Sequence, residues 1–154
     1  NLSVGCLLAP RADPNDAGQQ ARKDEFYALL SGHLQKVRNK RREFIICGNW
    51  HIAHTAADVQ DTQTNSTVSG FLSGERQWMN ELLASGYVDA FREISSDQDE
   101  FSWGPGGGRD SNGWRSDFHV ISKGLQYTLD YGAIYKVKEF STHAPIIMDY
   151  DIEI

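Results

Sequence analysis

The sequence predicts a layered α/β fold, of the α+β kind, because short buried strands alternate with amphipathic helices along its 154 residues. An apolar segment, Val4 to Ala9, stops at Pro10, and a second one, Phe44 to Cys47, stops at Gly48. At the other end of the chain, apolar and polar residues alternate through "PIIMDYDIEI", which is typical of a strand with one wet face. We therefore expect a single core built from strands and helices together.

Two helices are predicted by apolar residues that recur on one side. In the first helix, from about Ala17 to Val37, the residues that share a face are Phe26, Leu30, Leu34 and Val37. In the second helix, Ser73 is the expected N-terminal cap, Glu75 favours the first turn, and Gly86 is the expected left-handed stop. The segment between them, "TAADVQDTQTNSTVSG", has few apolar residues and is predicted to be a loop over the rim of the fold.

Two more strands are predicted before the final one. In "DFHVIS", 117–122, Phe118 lies on one side of the strand, and Asp117 and His119 lie on the other. The next candidate is "YGAIYKVK", and the glycine-rich "GPGGG" at 104–108, which precedes both strands, is predicted to be a flexible turn.

Composition excludes some classes of function. No apolar run approaches the ~20 residues that cross a membrane, so we expect no membrane partner. The net charge of -6 argues against a protein coated with positive charge for wrapping a duplex, although it allows a local basic patch. Both cysteines, Cys6 and Cys47, lie in apolar runs, which favours reduced core residues in a cytoplasmic protein.

One local basic patch is visible in "KVRNKRR", at the end of the first predicted helix. Its basic residues are Lys36, Arg38, Lys40, Arg41 and Arg42. They have two interpretations. They can complement the helix dipole and solvate a turn, or they can bind nucleic-acid phosphates or an acidic partner.

Candidate chemistry is concentrated in three clusters at strand ends or just after them. These clusters are Asn49-Trp50-His51, the segment 113–117 "GWRSD", and the segment 141–145 "STHAP". A strand that stops at a glycine and presents polar side chains at its tip is a usual way to build an active site. The pattern therefore makes these three clusters the candidate places for chemistry.

The order of the motifs resembles the exonuclease III branch of the endonuclease/exonuclease/phosphatase superfamily. The segments that carry the resemblance are "IAHT" after Gly48, "GFLSGERQWMNELLASGYVDAFRE", "FSWG", "GWRSD" and "STHAP", within Ser3 to Ile154. The resemblance implies a four-layer αββα sandwich of two similar halves, of which this chain looks like the C-terminal half. We expect 1–154 to be a single partial domain whose N-terminal half, with a metal-binding glutamate, is missing. The inner face of its sheet would then need a cover, and we expect a second copy in a homodimer, or a rearranged assembly, to provide it.

The chain differs from the active members at several motif positions. Asn49 stands where the resemblance implies an aspartate, His51 where it implies an asparagine, and Thr142 where it implies another aspartate. Leu8 stands where active members carry a tyrosine. Phosphodiester hydrolysis of this type needs hard carboxylate oxygens around Mg²⁺ and a base for the attacking water. We therefore predict a pseudoenzyme with no catalytic residues, no metal and no cofactor, and Mg²⁺ would be needed only if the chain were a nuclease.

Asp117 and His143 match the family motif, and two interpretations of them are open. They can retain catalysis, or they can hydrogen-bond the rim loops, which we favour. A further alternative gathers His51, His54 and His143 around Zn²⁺, although relatives that bind no zinc there share the "IAHT" segment.

Within that branch, "KRREFIICG", "GWRSDF" and "THAPIIMDYD" resemble the catabolite repression control proteins, which have a degraded active site. The resemblance implies a non-catalytic regulator that acts with the RNA chaperone Hfq on A-rich messenger RNA sites and represses their translation. The candidate contact residues for these partners are Lys36, Arg38, Lys40, Arg41, Arg42, Trp50 and Arg115. The alternative function is a Mg²⁺-dependent exodeoxyribonuclease III or apurinic-site endonuclease that hydrolyses DNA.

Overall fold

The computed structural model describes residues 1–13, 15–104 and 112–153, and it has the mixed α/β architecture that the sequence predicts. The strands are β1 (Leu2–Leu8), β2 (Glu43–Asn49), β3 (Tyr87–Asp89), β4 (Asp117–Ser122), β5 (Leu129–Ile134) and β6 (Ile146–Tyr150). The α-helices are α1 (Ala17–Arg38), α2 (Thr62–Asn65), α3 (Ser73–Ala84) and α4 (Ala90–Ile94), and short 3₁₀ helices cover Ala56–Asp58 and Lys123–Thr128. Of the predicted glycine-rich turn, all but Gly104 lies outside the described residues.

Four strands form the main sheet in the order β1-β2-β4-β3, and β5 and β6 form a separate two-stranded sheet. β1 and β2 run parallel because α1 provides the crossover between them, and the other neighbours are antiparallel. The register places Leu8 beside Asn49, and Asn49 beside Asp117. The last residues of β1 and β2 and the first of β4 therefore meet at one end of the sheet, which we call the site end.

One face of the main sheet, here called the outer face, is covered by α1 and α3. Phe118 and Val120 of β4 are buried there together with Trp50, and they pack in one apolar cluster with Leu34 and Met79. Burying a large apolar side chain contributes about 1.5–3 kcal/mol to the free energy of unfolding. The outer face is therefore a conventional helix-covered core.

The opposite face, here called the inner face, is only partly covered. β5, β6 and α4 pack over its β3–β4 side, where Phe91, Ile121 and Met148 belong to one buried cluster. Over β1 the face is open, because the side chains of Val4 and Leu8 are 67% and 76% exposed. Within the described residues, β1 and β6 each pair with one strand only.

Both predicted long helices are confirmed, with one change in how a helix begins. α3 begins at Ser73, but the carboxylate of Glu75 accepts the N–H groups of Leu72 (3.0 Å) and Gly70 (2.6 Å), so Ser73 is not the cap. Gly86 follows this helix with a φ of +111°, as a left-handed stop requires. Among the described helices, none combines the length and the hydrophobicity of a membrane span.

The short elements were missed. The segment predicted to be a rim loop contains α2 and a 3₁₀ helix, and neither β3 nor α4 was predicted. Elements of three to five residues are too short to show a period. Only the first half of the predicted strand "YGAIYKVK" is confirmed, since β5 ends at Ile134. Both cysteines are free, but Cys6 is exposed, so its predicted place in the core is wrong.

Candidate functional site

The three predicted clusters meet at the site end. Asn49 and Asp117 are register partners on β2 and β4. His143 reaches them from the loop between β5 and β6, and its Nδ1 lies 2.8 Å from Asp117 Oδ2. Thr142 is exposed beside it and lines the same cavity as His51 and His143. The structure therefore brings together the three clusters that the sequence singled out.

A tight turn shapes the tip that follows β2. Gly48 has a φ of +136°, and a Cβ there would lie 2.0 Å from the carbonyl oxygen of Leu7, so only glycine fits. His51 has a φ of +47°, and its backbone N–H donates to Asn49 Oδ1 at 2.8 Å. The amide of Asn49 is thus used inside the turn, where it holds the left-handed conformation of His51.

The ring of His51 is fixed by the neighbouring strand. Its Nδ1 lies 2.7 Å from the carbonyl oxygen of Ala9, which can only accept, so Nδ1 carries the proton. Burial lowers the pKa of His51 below its ordinary value, although the Ala9 bond opposes this. A neutral imidazole with Nε2 as its acceptor is therefore the favoured form.

Asp117 connects two other segments of the site. Its Oδ2 accepts the hydroxyl of Ser102 at 2.6 Å and also accepts from His143 Nδ1. Ser102 itself is buried and accepts the N–H of Asp117 at 3.3 Å. The favoured interpretation of the sequence gave Asp117 and His143 this role of holding rim loops. Because Nδ1 is occupied, Nε2 is the nitrogen of His143 that remains available to a ligand.

A cavity of about 460 Å³ opens beside this pair. Its lining includes Lys23, His51, Asn65, Trp103, Trp114 and His143. The Trp103 ring lies 6.4 Å from that of Trp114 and 6.2 Å from that of His143. Trp114 Nε1 is a buried donor with no hydrogen-bond partner among the described residues. The cavity thus has aromatic walls, while this donor is buried and not accessible to solvent.

A buried ion pair that sequence reasoning missed supports the tip from below. Lys23 Nζ lies 2.6 Å from Glu75 Oε1, and both side chains are almost fully buried. Lys23 also donates to the carbonyl oxygen of His51 at 2.7 Å. Burial lowers the pKa of Lys23 below its ordinary value, and the neighbouring Glu75 carboxylate opposes this. A lysine between apolar helix positions, and a glutamate in the next helix's first turn, were the available signals.

Two predicted contact residues are corrected by their burial. Trp50 has 0% exposure and packs under α1 and α3, so it offers no surface to a partner. Arg115 also has 0% exposure, and it donates to Asp58 at 2.8 Å and to Asp89 at 2.6 Å. Burial opposes the charge of Arg115, but the two carboxylates outweigh it and raise its pKa. An arginine in this motif is therefore part of the scaffold.

The basic run is exposed, as predicted, but it lies away from the site. Lys36, Lys40 and Arg41 are exposed, and so are Arg38, which bonds the carbonyl oxygen of Ser85, and Arg42, which bonds Ser3 Oγ. The run immediately precedes β2, whose seven residues lead to the site end. At about 3.3 Å per residue, this separates the basic run from the site by roughly 20 Å.

The described residues fit neither Zn²⁺ nor Mg²⁺ as they stand. The three histidines of the zinc alternative bond different partners, His54 among them with Asn80 Oδ1 at 2.6 Å. No group of three or more His, Cys, Asp or Glu side chains in the described ranges is arranged to hold a metal. Asn49 Oδ1 and Asp117 Oδ2 already accept hydrogen bonds from the protein.

No family model matches the chain. It is 32% identical to an exodeoxyribonuclease of Bacillus subtilis over 77% of this chain and 48% of that protein. It is 33% identical to a DNA-(apurinic or apyrimidinic site) endonuclease of Dictyostelium discoideum over 80% of this chain and 35% of that protein. The chain thus spans half or less of the length of these relatives.

Solved structures share the fold over almost the whole chain. The 3′ phosphatase NExo from Neisseria, bound to a product DNA hairpin, superposes with a TM-score of 0.88 and 22% identity, over 97% of this chain and 61% of that one. An AP endonuclease from Archaeoglobus fulgidus gives a TM-score of 0.87 and 20% identity over 98% and 62%. Sequence similarity and shared fold together support assignment of this chain to the exodeoxyribonuclease III and AP-endonuclease type of the endonuclease/exonuclease/phosphatase superfamily.

Proposed function

We propose that this chain is a non-catalytic, nucleic-acid-binding regulator that acts with the RNA chaperone Hfq on A-rich messenger RNA sites and represses translation. The observation that carries the proposal is that the polar groups at the site end bond other parts of the protein. Asn49 holds the backbone of His51, and Asp117 holds Ser102 and His143. Groups at the motif's ligand positions therefore stabilise loops of the protein.

The chemistry of the substituted positions supports the loss of catalysis. Asn49 has a neutral amide oxygen, Thr142 has no carboxylate, and Leu8 has no hydroxyl. Each role of an active-site donor or base contributes typically ~10²-fold or more to the rate. Loss of several such roles would leave no useful phosphodiesterase activity.

The cavity supports retention of nucleic-acid binding. Aromatic side chains suit stacking on unpaired bases, and Trp103 and Trp114 line it. The names of the curated relatives refer to DNA, and one structural neighbour was solved with a DNA hairpin.

The proposed partners fit the distribution of charge. A net charge of -6 is unfavourable for a protein that binds RNA alone, so assembly with Hfq on the RNA suits this chain better. The basic run would provide a second contact with RNA phosphates or with Hfq, separate from the cavity. Its distance from the site end requires an assembly that extends along the molecule.

We also propose that a second copy covers the inner face. Val4 and Leu8 are exposed on the inner face of β1. The edge of β1 that does not pair with β2 has no partner among the described residues. An open edge next to exposed apolar side chains favours association. A homodimer about a two-fold axis would use the same surface on both copies.

The binding proposal is tested by purification of the complex. The chain, Hfq and an A-rich RNA are mixed, and formation of a ternary complex is followed by gel filtration and gel shift. Arg41→Glu with Arg42→Glu should weaken the complex strongly, whereas Arg22→Glu with Lys123→Glu changes the charge equally at exposed positions elsewhere and should not. Absence of a ternary complex with the unchanged chain would contradict the proposed function.

One observation favours the second candidate, a Mg²⁺-dependent nuclease. The His143–Asp117 pair has the 2.8 Å geometry of an oriented imidazole, which could act in acid-base catalysis. The test incubates the chain with duplex DNA that carries an abasic site, in Mg²⁺ or Mn²⁺. We expect the unchanged chain to cleave this DNA no more than the Asp117→Ala variant does. Metal-dependent cleavage that Asp117→Ala removes would replace our proposal with this one.

A further inference from the structure

The loop between β5 and β6 carries an exposed aromatic group beside the site. Its base is closed by a hydrogen bond from Tyr135 N to Pro145 O at 2.8 Å. Within it, Phe140 and Val137 are 66% and 83% exposed. His143 belongs to the same loop, three residues after Phe140, so these residues lie within about 10 Å along the chain. We call 135–140 the aromatic loop.

The exposed ring is held in a defined position. Phe140 stacks on Tyr135, with ring centroids 5.9 Å apart and planes inclined by 25°. After it, Ser141 Oγ accepts the N–H of His143 at 3.1 Å and donates to its carbonyl oxygen at 2.9 Å, which fixes the turn toward the site. Tyr135 therefore supports the ring, most of which stays exposed to solvent.

A positive charge accompanies this ring. Lys138 Nζ lies over the ring of Phe140, 5.6 Å from its centroid, and the lysine is exposed, so it can swing aside when a base stacks. An exposed aromatic ring with a cation beside it suits a single strand of nucleic acid, because the base stacks and the phosphate binds the cation. A duplex hides its base faces, so it would gain only the charge.

We infer that the aromatic loop is a stacking platform for an unpaired base of single-stranded RNA, next to the base or sugar that enters the cavity. This inference rests on the proposed function, since it assumes RNA at the site end. It adds a contact outside the cavity, formed by Phe140 together with Tyr135 and Lys138. It also predicts the path of the RNA, which would run from the cavity toward the β5–β6 loop.

The test measures binding of a fluorescein-labelled A-rich RNA by anisotropy, with the full chain alone and with Hfq. Phe140→Ala should weaken binding about 5- to 150-fold, as expected for loss of one stacked base. Phe140→Trp should restore it. Tyr127→Ala is the matched control, because Tyr127 is 89% exposed and follows the far end of β4. Lys138→Ala should lower the salt dependence by about one phosphate contact, whereas Phe140→Ala should leave it unchanged.

A second measurement identifies the contact directly. RNA that contains 4-thiouridine is photo-crosslinked to the unchanged chain, and the modified peptide is identified by mass spectrometry. We expect the crosslink within 135–143. Equal binding by Phe140→Ala and the unchanged chain would overturn the inference and leave the proposed function intact. If Phe140→Ala loses binding to Hfq but still binds RNA, the inference is also overturned, because the loop would then contact protein. If the unchanged chain binds RNA neither alone nor with Hfq, both proposals fall.

Discussion

The two faces of the main sheet come from the same strands, but their surroundings differ. On the outer face, Phe118 and Val120 of β4 are buried under α1 and α3. On the inner face, Asp117 and His119 of the same strand are half-buried, and Leu8 of β1 is exposed. Because side chains alternate along a strand, one short segment can pack a core on one side and present polar groups on the other. Stability and the candidate site are therefore separated by face, and substitutions on the two faces should have different effects.

The largest effect is expected on the outer face. Phe118→Ala removes a side chain that is 1% exposed and should lower the free energy of unfolding by about 3–5 kcal/mol. Leu8→Ala removes an apolar side chain of the inner face and should change it by less than about 0.5 kcal/mol. Urea denaturation at neutral pH measures both. Equal losses for the two variants would show that the inner face is as well packed as the outer one.

The next effect concerns a buried polar cluster next to the core. Burial opposes ionisation of Asp58, but Arg115 and Arg92 outweigh it and lower its pKa to about 2. The unfolded value is about 3.9, so the stabilisation is complete above pH ~4 and is lost as the pH falls through ~2. The unchanged chain should lose about 2–3 kcal/mol more than Asp58→Asn over this range. Asp149→Asn is the control, since Asp149 is exposed; parallel curves for the unchanged chain and Asp58→Asn would contradict the assignment.

The comparison of faces also explains what the sequence could predict. Periodicity located α1, α3 and β4, and motif order brought Asn49, Asp117 and His143 together, because these signals are local or carried by the resemblance. The partners of Arg115 could not be predicted, since Asp58 and Asp89 are distant in sequence and look like ordinary surface acids. Trp50 stands between two polar tip residues, yet the twist of the turn directs it into the core. Burial at a strand end depends on the covering helices, which a local pattern does not encode.

An effect on association is expected from the open part of the inner face. If a second copy covers β1, Leu8→Lys should weaken self-association at least about tenfold, because a charge would be buried at the contact. Leu29→Lys is the matched control, since Leu29 is 69% exposed on α1, away from that face. Gel filtration with light scattering measures the mass against the 17.3 kDa of one chain. A monomer at every concentration would contradict the homodimer.

The smallest effect is expected where the inner face is covered. His119 Nδ1 lies 3.0 Å from the hydroxyl of Tyr150, and their rings are stacked, so this pair joins β4 to β6. Burial lowers the pKa of His119, and the charge of Asp89 opposes this only in part. The folded chain therefore binds this proton less readily than the unfolded chain does. The contribution of His119 to the free energy of unfolding should be fully present above the unfolded-state pKa of about 6.5. It should decrease as the pH falls below that pKa.

Thermal unfolding between pH 7.5 and 5 measures this decrease, which His119→Gln should reduce. The decrease should not vanish, because burial also lowers the pKa of His51 at the tip. His33→Gln, at an exposed position on α1, should leave it unchanged. If His119→Gln leaves the pH dependence intact, the contact between the two sheets is open to water. The inner face would then be hydrated from β1 across to β4, and a partner would have to displace that water along three strands.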